Sequence, residues 1–160
     1  MKKVLRVVAL LLAVAALFCL AGCQAGNPVV NYHRSMEALD QSTANGTKIV
    51  GYDVDGMVYT YELVPENLLA QTPEEVGYIL RIDRNYDESK KLYGNDSASK
   101  YIHGDHYYVE LVDCDTGEVL AAQEFEPFFP FQVDSFTRAK PRDEDVTNWV
   151  TGTYQKIQGN

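Results

Sequence analysis

The spacing of apolar positions changes several times along this chain, and each change marks an element. An unbroken apolar run extends from Val7 to Leu20, with Lys2, Lys3 and Arg6 ahead of it. It falls short of the about 18–20 apolar residues that a stable membrane-spanning helix needs. Tyr32, Met36 and Leu39 then recur at i, i+4 and i+7, which predicts a helix over 30–41. Ser42 to Gly46 break it, and the period falls to two. Residues 48–53 and 57–64 read as paired strands joined at Asp53-Val54-Asp55-Gly56, with Met57, Tyr59, Tyr61 and Leu63 on one face. Pro65 to Ala70 predicts a short helical turn with proline at its start, and Thr72 to Glu75 a second turn or a loop. Tyr78, Leu80 and Ile82 alternate as a strand. A further strand over 106–113 sets Tyr107, Val109 and Leu111 on one side, and Asp115-Thr116-Gly117 turns it back into 118–125. Val146, Trp149 and Val150 predict a closing helix over 143–153, with Pro141 before it and Gly152 near its end.

Strands in three groups, with helices at the two ends, predict an α+β fold. The expected form is an antiparallel β-sheet of about five strands with an N-terminal and a C-terminal helix; a small β-barrel is the alternative. The length suits one core, so 30–160 reads as a single globular domain behind a leader, 1–22, and a tether, 23–29.

A charged start, an apolar run and small residues before a cut site describe a secretory signal peptide. Leu20-Ala21-Gly22-Cys23 resembles, at every position, the lipobox of bacterial lipoproteins. The resemblance covers those four residues and the signal region before them. It implies cleavage between Gly22 and Cys23 and a diacylglyceryl group on the Cys23 thiol, with acyl chains such as palmitate holding the protein to a membrane. Each buried CH₂ of such a chain contributes about 0.8 kcal/mol, so two or three chains anchor a small domain firmly. The competing readings are a plain signal peptide with Cys23 an ordinary thiol, and an uncleaved anchor. Gln24 follows the cysteine, where an Asp would suggest retention at an inner membrane. The expected location is the extracytoplasmic face of a bacterial membrane, either the cell membrane or the outer membrane.

Charge narrows the partners. The chain holds 14 Lys+Arg against 23 Asp+Glu, a net charge of −9. Three cations leave with the leader, so the balance moves from −9 to −12. Such a chain repels nucleic-acid phosphates, and no nucleic-acid partner is expected. Of three cysteines, Cys19 leaves with the leader and Cys23 carries lipid, so Cys114 has no internal disulfide partner. It reads as a small structural residue within a hairpin.

The candidate chemistry is sparse. His103-Gly104-Asp105-His106 is the densest group of metal-ligand types, and two imidazoles with a carboxylate suit zinc or another divalent ion. Its spacing departs from a helical His-Glu-x-x-His pattern, and Gly104 favours a polar turn entering the strand at Tyr107. No metal site or cofactor is therefore assigned. Asp113 to Glu118 fails the spacing of a calcium loop and reads as a tight turn. The polar stretch 84–104 reads as a long loop, or as an element the pattern hides. All five phenylalanines beyond the leader, Phe125, Phe128, Phe129, Phe131 and Phe136, fall within one stretch broken by Pro127 and Pro130. This strap either closes the core or offers an aromatic surface to a partner.

No nucleophile elbow, phosphate loop or dinucleotide glycine pattern is present, and no catalytic residue is assigned. The expectation is a membrane-anchored, non-catalytic binding or accessory module of the cell envelope. Its partner is an envelope protein or wall polymer met through Phe125–Phe136, with 84–104 a further contact surface. The alternative is a metal- or small-ligand-binding lipoprotein using His103, Asp105 and His106. A weaker one is an envelope hydrolase.

Overall fold

The computed structural model describes residues 28–40, 45–93, 100–130 and 138–159, with the backbone alone at 28–30 and 100. The leader, Cys23, most of the tether, Phe131 and Phe136 lie outside the described residues. Two compact units divide the chain, Met1–Asn31 and Tyr32–Asn160. Among the described residues no helix is long and apolar enough to cross a membrane.

Helix α1 spans Pro28–Met36 and ends before Leu39, whose N–H donates to the Met36 carbonyl at 2.9 Å. A five-stranded sheet follows: β1 (Lys48–Asp53), β2 (Val58–Thr60), β3 (Val76–Tyr93), β4 (Lys100–Asp113) and β5 (Val119–Phe125). Helix α2, Asp143–Gln158, closes the chain. The strand order is β2-β1-β3-β4-β5, an α+β sheet left open rather than closed into a barrel.

Three of the four strand pairings are antiparallel as expected, and β1 with β3 is parallel. Between β2 and β3, single turns of 3₁₀ helix at Glu66–Leu68 and Pro73–Glu75 carry the chain back to the start of β1. The Ala70 N–H donates to the Ile49 carbonyl and the Gly46 N–H to that of Val76, so β3 sets off in the direction of β1. Side-chain alternation is the same in either direction, so the residues gave no sign of it.

Apolar side chains fill both sides of the sheet. On one, Ile49, Leu80, Ile82, Val109 and Leu111 are buried against Val146 and Val150 of α2, with Trp149, Tyr154 and Ile157 at the margin. A buried aliphatic side chain contributes about 1.5–3 kcal/mol, so this stripe fixes the helix to the sheet. The stripe continues through Tyr154 and Ile157, which is why α2 runs past Gly152 to Gln158. Asp143, Glu144 and Asp145 occupy its first turn, where the helix dipole favours them. On the other side, Val50, Val76, Ile79 and Cys114 pack with Tyr32 and Met36. The Tyr32 hydroxyl donates to the Ala70 carbonyl at 2.8 Å, and burial raises its pKa.

Strand β2 is shorter than the expected 57–64. Met57 and Leu63 both take positive φ, 51° and 63°, so the chain turns at each end of Val58–Thr60. Leu63 and Val64 then drop into the core under α2.

Candidate functional site

The stretch 84–104 is not a loop along most of its length. Strands β3 and β4 run on together as a two-stranded ribbon, paired from Asp87↔His106 to Tyr93↔Lys100. A bulge marks its base. Asp83 pairs with Tyr108 and Asp87 with His106, so β3 spends four steps where β4 spends two.

Arg84 projects from this bulge into a clamp of acids. Its Nε donates to Asp53 Oδ2 at 2.9 Å and its Nη2 to Glu62 Oε2 at 2.7 Å, while its backbone N–H donates to Asp55 Oδ2 at 3.0 Å. Its guanidinium carbon stands 5.6 Å from the Tyr107 ring centre. Burial opposes the charge, but Tyr107, Glu62 and Asp53 outweigh it and raise the pKa. Asp53 also accepts the Gly56 N–H at 3.0 Å, so Asp53-Val54-Asp55-Gly56 is the expected turn with a second duty. The Asp113 turn is likewise confirmed: Asp113 Oδ1 accepts from Asp115 N, Thr116 N and Thr116 Oγ1, and Gly117 takes φ 71°.

His103, Asp105 and His106 stand on a strand, not in a turn. Alternation puts His103 and Asp105 on one side of β4 and His106 on the other, so the three do not converge. Each has its own partner. His103 Nδ1 lies 2.8 Å from Glu88 Oε1, and His106 Nδ1 lies 2.9 Å from Glu124 Oε1. Asp105 accepts from Arg138 through both carboxylate oxygens, Oδ2 at 2.6 Å from Nε. Among the described residues no three His, Cys, Asp or Glu side chains are grouped to hold a metal.

Gly104 has a steric reason to be glycine. A Cβ there would lie 2.7 Å from both Phe129 Cζ and Pro127 Cγ. The aromatic strap therefore lies on the ribbon at Gly104. Ala139 hydrogen-bonds to β4 of the ribbon, accepting from Asp105 N and donating to the His103 carbonyl, and the strap joins that segment through Phe128 N, which donates to the Lys140 carbonyl. Within the strap Phe125 meets Trp149 edge-on at 5.9 Å, whereas Phe128 stays 46% exposed. Arg142 stands 3.9 Å over the Phe128 ring. These two residues, with Pro130, Arg138, Lys140 and Pro141, line a shallow notch of about 270 Å³.

A second feature was missed by the sequence reading altogether. Tyr59, Tyr52, Arg81 and Glu110 are successive cross-strand neighbours on β2, β1, β3 and β4. They share the sheet face opposite α2, beyond the Tyr32–Met36 cluster. Arg81 pairs with Glu110 at 3.0 Å, and Tyr52 meets Tyr59 edge-on at 5.4 Å. One step along, Tyr108 stacks with Tyr86 at 4.9 Å. Tyr52, Tyr59, Ile79 and Arg81 line a cleft of about 250 Å³. The signal was available in the alternating tyrosines, but it becomes a site only once the register across four strands is known.

Cys114 is buried, and desolvation followed by Asp113 and Asp115 raises its thiol pKa. Compared with protein-family models, curated proteins and solved structures, the chain matches none.

Proposed function

We propose that the protein is a lipid-anchored, non-catalytic binding module on the extracytoplasmic face of a bacterial membrane. The observation that carries this reading is the lipobox Leu20-Ala21-Gly22-Cys23 after a charged and apolar leader. The binding role is supported by how the polar side chains are used. His103, Asp105, His106 and Arg84 are each engaged by an oppositely charged or hydrogen-bonding neighbour rather than held around a common point. The contact for an envelope protein or wall polymer is the notch beside Phe128, the exposed aromatic ring of the described strap.

Palmitate labelling of cells expressing the full chain tests the anchor. Label is expected on the wild type and lost in Cys23→Ser; an unlabelled wild type overturns the reading. Cross-linking in the native membrane tests the contact. A partner captured by wild type and lost in Phe128→Ser is expected, and identical capture by both refutes the notch.

A further inference from the structure

The face carrying Tyr52, Tyr59, Arg81 and Glu110 is separate from both the anchor and the Phe128 notch. Strands lie about 4.8 Å apart and successive side chains on one face about 6.7 Å, so the Tyr52–Tyr59 pair and the Tyr86–Tyr108 stack sit about 12 Å from each other. The Arg81–Glu110 ion pair stands between them. The outermost ring, Tyr86, is 51% exposed.

We propose that this face binds a neutral glycan strand. Sugar rings present apolar C–H faces that stack on aromatic rings, and their hydroxyls ask for a donor and an acceptor side by side. Tyrosines at two points supply the stacking, and Arg81 with Glu110 supplies the donor and acceptor. The cleft that Tyr52, Tyr59, Ile79 and Arg81 line takes one ring, and the open face toward Tyr86 takes the units that follow. Charge selects against a polyanion. Asp83, Glu110 and Glu124 share the face with Arg81 in a chain of net charge −9, so a phosphate- or uronate-bearing polymer is repelled. A cationic peptide is the competing occupant, because Asp83 and Glu124 leave the face acidic beside the Arg81–Glu110 pair, and oligolysine tests for it. The envelope location proposed above matters here only for where the polymer comes from.

The test is calorimetry on the full-length chain in detergent micelles. The probes are neutral β-1,4-linked hexamers of glucose and of N-acetylglucosamine, with polygalacturonate and oligolysine as charged comparisons. At least one neutral hexamer is expected to bind. Tyr86→Ala should weaken it about three- to tenfold and Arg81→Gln at least as much. Circular dichroism confirms that the variants fold; Tyr86 is exposed enough that its loss leaves the core intact. No binding of either neutral hexamer overturns the proposal. So does affinity unchanged in both Tyr86→Ala and Arg81→Gln, and so does preferential binding of oligolysine. Glycan binding by a chain that takes up no palmitate sustains this site and removes only the anchor. A palmitoylated chain that binds neither hexamer does the reverse.

Discussion

At Gly104 a missing side chain decides how the strap meets the ribbon. Any Cβ would collide with Phe129 and Pro127, both carbon-rich and flanking Phe128, whose N–H donates to the Lys140 carbonyl. Gly104→Ala is therefore expected to cost about 1–3 kcal/mol in denaturant unfolding; a variant as stable as wild type would show that the strap shifts freely. The same contact separates two neighbouring rings. Phe129→Ser should destabilise by about 2–4 kcal/mol, because it strips a ring from the ribbon, whereas Phe128→Ser at its exposed position should stay within about 0.5 kcal/mol. Met57 makes the opposite case. It is 76% exposed and holds φ 51°, a conformation in which its side chain costs energy and gains no burial. Met57→Asn should stabilise by roughly 0.5–1 kcal/mol, measured as a higher midpoint at unchanged slope.

The bulge in β3 and the Arg84 clamp form one device at the scale of elements. Three acids from the β1–β2 connection and its flanks converge on a single residue of β3, tying the edge hairpin to the base of the ribbon. Arg84→Ala leaves Asp53 largely buried without its cation and should cost about 1–3 kcal/mol. A double-mutant cycle with Asp53→Asn should return a coupling of at least about 0.5 kcal/mol; additive losses would mean that the two act independently. Neither the bulge nor the ribbon was legible beforehand, for a physical reason. A two-stranded ribbon shows much of both faces to water, so Glu88, Lys90 and Lys91 give no alternation and read as loop. The strands under α2 were legible because one face is buried, as Tyr107, Val109 and Leu111 show. Both hairpin turns were legible from Asp and Gly alone, since each Asp bonds its own following backbone. The histidine group was misleading at this scale: residues adjacent in sequence diverge when they fall on a strand. The tyrosine face stayed hidden because its members come from separate strands whose order the residues do not state.

For the molecule as a whole, the groups raised by burial act in one direction. Desolvation raises the pKa of Tyr32, Tyr59, Tyr78 and Cys114, so each holds its proton more tightly folded than unfolded. Above the unfolded values, about 8.5 for a thiol and 10 for a phenol, the unfolded chain releases protons that the folded chain keeps. Fewer protons bound in the unfolded state means that stability falls as pH rises. The contribution is complete below about pH 8.5 and drains away as pH climbs from there through 10. The melting temperature should accordingly hold level from neutral pH to about 8 and then decline. Tyr32→Phe should lose about 1 kcal/mol at neutral pH with the Ala70 hydrogen bond, yet decline less steeply above pH 10, because one of the four groups is gone. That change of slope separates titration from packing: a purely structural role for Tyr32 would lower the whole curve and leave its shape unaltered.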